Sequence, residues 1–147
     1  MGKTLPKSVV SSRSEALAVQ PGRMVPARIQ GALLSIPCPP WCTVDHVEQD
    51  VAFVADIYHA SDRVSVSAPA MGGGTEDVLE AWLTVYPFAH GPEAAPVVAF
   101  DAAGGGEVAE LSPEALEAHA DQLAAHVKKL RHLARLAAVA RTAGGAR

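Results

Sequence analysis

Residues 38–59 read Cys38-Pro-Pro-Trp-Cys42-Thr-Val-Asp-His46-Val-Glu-Gln-Asp-Val-Ala-Phe-Val-Ala-Asp-Ile-Tyr-His59 and hold both cysteines of the chain and two of its six histidines. Thiolate sulfur and imidazole nitrogen are the ligands that borderline-soft Zn²⁺ prefers, and two of each close a tetrahedral shell. Pro39 and Pro40 fix φ and remove two backbone donors, which suits a tight turn that presents the side chains around it. The stretch predicts a Cys/His knuckle that pins the aromatic-poor N-terminal segment onto a following sheet.

Three chemistries fit these residues. In the first, Cys38, Cys42, His46 and His59 close a structural zinc site, although the long gap before His59 matches no common zinc finger. In the second, Cys42, His46 and His59 form an open site that holds a water, with Asp45, Asp50 or Asp56 as the base of a hydrolase. In the third, the cysteines are small buried hydrophobes and the histidines are hydrogen-bonded core residues of a metal-free domain. Trp41 and Tyr58 adjoin the ligands and form an apolar shell in either metal reading. His90, next to Gly91-Pro92, reads as a loop residue and a reserve ligand.

Outward from the knuckle, every Trp, Tyr and Phe lies between residues 41 and 100, which centres the core there. Gly31–Ile36 is a short apolar run leading into Cys38. Val64-Ser65-Val66-Ser67 alternates as a half-buried strand does. Leu79–Tyr86 and Pro96–Phe100 are rich in β-branched and aromatic residues and read as more buried strands, with one more at Glu107–Leu111. The Gly72–Gly74 and Gly104–Gly106 runs lack the Gly-Lys-Ser/Thr that a phosphate-binding loop needs, and carboxylates follow them, so they read as surface turns.

The C-terminal helix has the plainest signature. Ser112 is an N-cap and Pro113 the first helical residue, Glu114, Glu117 and Asp121 sit near the positive end of the dipole, and Lys128, Lys129, Arg131 and Arg135 near the negative end. Leu116, Ala120, Leu123, Val127, Leu130, Ala134 and Ala137 form one apolar seam. A helix over 113–140 is about 42 Å long, whereas short strands span only about 20 Å. Roughly half of it overhangs the sheet, and a second copy of the chain or the N-terminal segment is expected to cover Leu130, Ala134 and Ala137. His119, His126 and His132 read as partly exposed surface residues of this helix.

Charge is distributed unevenly. Residues 1–44 carry Lys3, Lys7, Arg13, Arg23 and Arg28 against Glu15 alone, the stretch 45–127 holds every other acid against Arg63 alone, and from Lys128 onward only basic residues occur. With a net charge of −4 the body repels a phosphate backbone, which makes nucleic acid an unfavoured partner reachable only through the two ends. No apolar run approaches the roughly 18 residues of a membrane span. The N-terminus shows neither a secretory signal nor a myristoylation motif, so a cytoplasmic home is expected, where closely spaced cysteines point to metal or redox chemistry before a structural disulfide.

The pattern Pro40-Trp41-Cys42 with His46, then Asp56-Ile57 with His59, Leu83-Thr84 with Pro87-Phe88, and a long Leu/Ala helix ending near Arg135 resembles a small actinobacterial family known as a domain of unknown function. The resemblance runs from about Pro40 to Ala137 and is carried most specifically by Trp-Cys-x3-His and Asp-Ile-x-His. It implies a compact α+β domain and brings no activity, substrate or catalytic residue. Cys38 lies outside its firm part, which leaves the fourth ligand open.

The expected fold is α+β, an antiparallel sheet of about four strands with one long C-terminal helix packed across a face. Residues 1–28 are expected to be a disordered basic tail, 29–141 a single domain containing the 38–59 knuckle and the 113–140 helix, and 142–147 a second tail. The expected function is that of a zinc-stabilised binding or regulatory module without enzymatic activity.

Overall fold

The structure is a computed structural model that describes residues 22–144. Arg23–Ile29 (β1) and Ala32–Cys38 (β2) pair antiparallel, Arg23 opposite Cys38 and Ile29 opposite Ala32. Gln30 and Gly31 between them have φ of 49° and 76°, the left-handed pair whose turn matches the twist of the strands it joins. Val25, Ala27 and Ile29 alternate toward the interior while Met24, Pro26 and Arg28 point away. Residues 23–28 are therefore part of the folded body and not of a tail, and Ala27 is 1% exposed. The alternation is faint in the sequence because Ala27 is small and Pro26 removes a donor. The hairpin partner makes it a strand, and Pro26 is tolerated because β1 lies at a sheet edge. Residues 1–21 and 145–147 of the expected tails lie outside the described residues.

After β2 the chain turns through Pro39–Cys42 into one helical turn, His46–Gln49 (α1). Asp45 caps it, its Oδ1 accepting from the Val47 and Glu48 amides at 2.8 and 3.2 Å. Val51 then lies beside Ile29, a single 3₁₀ turn covers Val54–Asp56, and the chain enters the two-residue strand His59–Ala60 (β3). Ile57, fully buried, meets Ala27, Ile29 and Ile36 in the aliphatic core, against which Val25, Val51 and Phe88 pack.

Strands Val64–Pro69 (β4), Thr75–Val85 (β5), Val97–Asp101 (β6) and Ala109–Leu111 (β7) complete a second sheet. It is antiparallel in the order β3-β5-β6-β7, with β4 sharing the β3 edge of the long β5. The architecture is α+β as expected, with more strands than the expected four, because this sheet alone holds five and the β1-β2 hairpin forms a separate two-stranded sheet. A bulge in β5 places Leu79 at φ 54° and shifts the β4 register between Val64 and Val66, which bends the strand locally.

Pro113–Gly144 (α2) is one continuous helix that reaches past the expected end. Ser112 caps it, its Oγ accepting from the Ala115 amide at 3.2 Å. Only Leu116, His119 and Leu123 of α2 are half-buried, with His119 set edge-on against Phe100 at a ring separation of 5.0 Å. From Ala124 to Gly144 every residue is exposed, Leu130, Ala134 and Ala137 among them. His126 and His132 are exposed surface histidines, while His119 is a docking residue. Among the described residues no helix is long and apolar enough to cross a membrane.

The Gly104–Gly106 turn has a specific anchor. Buried Asp101 accepts from the amides of Ala103 and Gly104 through Oδ1 (3.1 and 2.8 Å) and from Gly106 through Oδ2 (2.6 Å). Gly104 has φ 70°, and a Cβ there would collide with the Asp77 carbonyl. The Gly106 amide, aided by those of Ala103, Gly104 and Gly105, holds the Asp101 carboxyl below the usual carboxylate range, against an opposing effect of burial. A depressed folded-state value contributes stability above the unfolded value of about 4 that is lost as pH falls through the folded value. Asp101→Asn is expected to lower the melting temperature at pH 7 and to flatten the loss of stability below about pH 4, both read from thermal melts across pH. Melts of the variant that follow the wild-type acid limb would show that the anchor contributes nothing.

Candidate metal centre

Each donor reaches the site for a local reason. Cys38 ends β2 on the inward side of its alternation, Cys42 follows the proline turn closed by a 3.1 Å bond from its amide to the Pro39 carbonyl, His46 opens the capped α1, and His59 starts β3 opposite Val85. The four side chains are 1–3% exposed, and one ligand atom from each lies within 4.8 Å of all the others. The structure brings together the four residues of the closed-site reading, including Cys38, which the family resemblance left open.

His46 Nε2 is 3.7 Å from Cys38 Sγ, 3.6 Å from Cys42 Sγ and 3.1 Å from His59 Nδ1. One ring nitrogen carries either one proton or one lone pair, so a hydrogen bond satisfies only one of these three neighbours. A cation between them satisfies all of them. Ligand distances of about 2.3 Å to sulfur and 2.0–2.1 Å to nitrogen in a tetrahedron put S and N about 3.6 Å apart and two N about 3.3 Å apart. The three separations from His46 Nε2 fall close to those edges, and the group could hold a metal ion.

The surroundings orient the ligands. His46 Nδ1 lies 3.0 Å from Gln49 Oε1, and Gln49 Nε2 donates to the Tyr58 carbonyl at 3.4 Å. The ring of His59 is held by the Pro37 carbonyl and met edge-on by Trp41 at 6.4 Å. Such outer partners fix ring orientation and the nitrogen offered to a metal. Burial pushes His59 below the usual histidine range, His46 acts in the same direction, and the Pro37 bond partly opposes them. That keeps the imidazole in the neutral form that ligates. Burial pushes the Cys38 thiol up, as does Cys42, while Arg23 across the hairpin pulls it down. A bound cation reverses the preference for the thiol.

Other expected participants lie elsewhere. Tyr58 turns its ring to Tyr86, at 5.9 Å, and contributes to the site only through its carbonyl. Asp45 is occupied in capping α1, and Asp56 Oδ2 accepts from the Phe53 amide at 3.2 Å. His90 lines a cleft away from the cluster. Gln49 and Arg23 went unnoticed in the sequence. The position of Gln49 three residues after His46 on one helix turn was the available signal for the first, whereas Arg23 becomes a neighbour of Cys38 only through the hairpin register.

No curated protein and no solved structure matches the chain. Residues 23–139 match the family described as Domain of unknown function (DUF6907), a span that takes in the hairpin, the Cys/His group, the sheet and most of α2. The chain belongs to the DUF6907 family of domains of unknown function.

Proposed function

We propose that the chain is a zinc-stabilised binding or regulatory module without catalytic activity, in which Cys38, Cys42, His46 and His59 hold one Zn²⁺. The observation that carries this reading is the position of Cys38 Sγ, as close to His46 Nε2 as Cys42 Sγ is. A fourth protein donor closes the tetrahedron, whereas a catalytic zinc keeps one position for water. The hydrolase alternative needs Cys38 out of the shell and a free base at the cluster; Asp45 and Asp56 are engaged in capping, and Asp50, the third candidate base, is exposed at the C-cap of α1 and does not join the Cys/His group. Two neutral imidazoles and two thiolates also leave the complex without net charge, which suits a buried site. A reducing compartment such as the cytoplasm fits the pair of free thiols.

Metal analysis of the purified chain is expected to give about one zinc per molecule, and Co²⁺ exchanged into the site should show the intense visible bands of a four-coordinate thiolate complex. Because binding a structural metal contributes to folding free energy, Cys42→Ser and His59→Ala should lose the metal and melt at a lower temperature. A protein that carries no zinc and melts unchanged in chelator would overturn the zinc reading. A Cys38→Ser variant that keeps the metal and gains no hydrolytic activity would leave the closed shell without support.

The partner proposed for this module is a second copy, paired through the exposed part of α2. Leu130, Leu133 and Leu136 are 50%, 59% and 51% exposed there, and small Ala134 and Ala137 permit close approach. Glu114, Glu117 and Asp121 lie in the docked half, while Lys128, Lys129, Arg131, Arg135 and Arg141 lie in the projecting half with no acid among them. An antiparallel pair would bring Glu117 and Asp121 of one copy toward Lys128 and Arg135 of the other. Exposed pairs of this kind are individually weak and set orientation more than affinity. Sedimentation is expected to show a dimer at micromolar concentration, equivalent to about −8 kcal/mol, and Leu130→Glu should give a folded monomer. A wild-type chain that stays monomeric at about 100 µM rules out this pairing at that strength.

A further inference from the structure

Gln49 ties the two imidazoles of the Cys/His group together. It lies three residues after His46 in α1 and so on the same side of that turn, and its amide makes two contacts. Oε1 is 3.0 Å from His46 Nδ1, and Nε2 donates to the Tyr58 carbonyl at 3.4 Å. That carbonyl belongs to the peptide unit leading into His59, so one side chain spans from one ligand to the backbone of the next. A helix of four residues is too short to hold its own geometry. The tie to the approach of β3 supplies a restraint on His46 that α1 alone does not.

The chemistry of these contacts decides which way round the amide lies. The Tyr58 carbonyl only accepts, so the nitrogen end of the amide faces it and the oxygen end faces His46. Reversed, the amide would set two oxygens against one another and make His46 Nδ1 an acceptor, which moves the imidazole proton to Nε2. Nε2 is the atom that lies 3.7 and 3.6 Å from the two sulfurs and 3.1 Å from His59 Nδ1, and a proton there would fill the point on which the donors converge. With Oε1 accepting, the proton sits on Nδ1 and the Nε2 lone pair faces that point. A half-turn of the ring would put carbon in place of both nitrogens, so the same bond also selects the ring orientation.

We infer, resting on the zinc reading above, that Gln49 is a positioning residue of the metal centre. It holds His46 as the Nδ1–H tautomer, and His46 therefore ligates through Nε2. His59 turns Nδ1 toward the same point, ligates through that atom and keeps its proton on Nε2. One ring comes from a helix turn and the other from the start of a strand, and they offer different nitrogens to one ion.

Two measurements on the full chain test this assignment. Two-bond ¹H–¹⁵N correlation spectra of the zinc-loaded protein separate protonated from metal-bound imidazole nitrogens, and are expected to show protons on His46 Nδ1 and His59 Nε2. Competition for zinc against a chromophoric chelator reads the contribution of Gln49. Gln49→Leu, similar in size and lacking both bonds, is expected to bind zinc about tenfold or more weakly, the range that losing an outer partner of a ligating histidine costs. Gln49→Glu keeps an acceptor for Nδ1–H and should bind about threefold or more tightly than Gln49→Leu. Gln49 is half-buried at the margin of the site, so both variants should fold with zinc bound. A proton on His46 Nε2, a Gln49→Leu chain that holds zinc as tightly as the wild type, or a Gln49→Glu chain that binds no better than Gln49→Leu would overturn the inference and leave the zinc reading in place. A wild-type chain that takes up no zinc would overturn both.

Discussion

Two thiols and two imidazoles turned toward one another in a dry interior set the terms for this fold. Left without a common partner, such groups carry the desolvation cost of unsatisfied polar atoms. Gathered around a metal they become a cross-link instead. The donors come from the end of β2, the proline turn, α1 and the start of β3, and these elements belong to different bodies. The hairpin and the five-stranded sheet share no ladder. What joins them is the Cys/His group and the small aliphatic cluster of Ala27, Ile29, Ile36 and Ile57 beside it. A small domain with so short a list of buried aliphatic residues gains much from one strong internal cross-link.

The second sheet then distributes the remaining surfaces. One face carries His59, Val85 and Phe100, and so holds both the Cys/His group at one edge and the first turns of α2 near the other. The opposite face carries Thr84 and Trp82. Arg63 lies over the Trp82 ring at 4.0 Å and is held by Glu80 at 2.8 Å, which covers that part of the face, while Thr84, Val85 and Tyr86 around the end of β5 line a cleft. The short β7 limits how much of α2 can dock. Thirty-two residues at about 1.5 Å each extend to roughly 48 Å, and contact ends at Leu123, so the rest projects. The result is a two-sheet head with a basic helical arm.

The four candidate ligands were legible because metal ligation depends on residue type and on short spacing, both of which are visible in a linear chain. The helix was legible for a similar reason, since Ser112-Pro113, the acidic first turns and the Leu/Ala seam are local signals. Gln30-Gly31, by contrast, is an inconspicuous turn, and β1 could not be read because Val25, Ala27 and Ile29 make a weak alternation that becomes a strand only against β2. Tyr58 looked like part of the ligand shell because it adjoins His59, but neighbours along a strand point to opposite faces and its ring meets Tyr86.

The sequence by itself therefore determined the α+β class, the long helix and the identity of the Cys/His group, all of which rest on contacts between residues near one another in the chain or on ligand chemistry. Tertiary structure decided the rest. The inclusion of Cys38 on equal terms depends on the hairpin bringing the end of β2 to His46, the docking limit at Leu123 depends on the width of the sheet, and the cleft draws its walls from residues between Ala55 and Glu110. Each depends on strand register and on which face a side chain takes, and a shift of one residue in pairing would reverse that face, so neither is encoded in any single stretch of the chain.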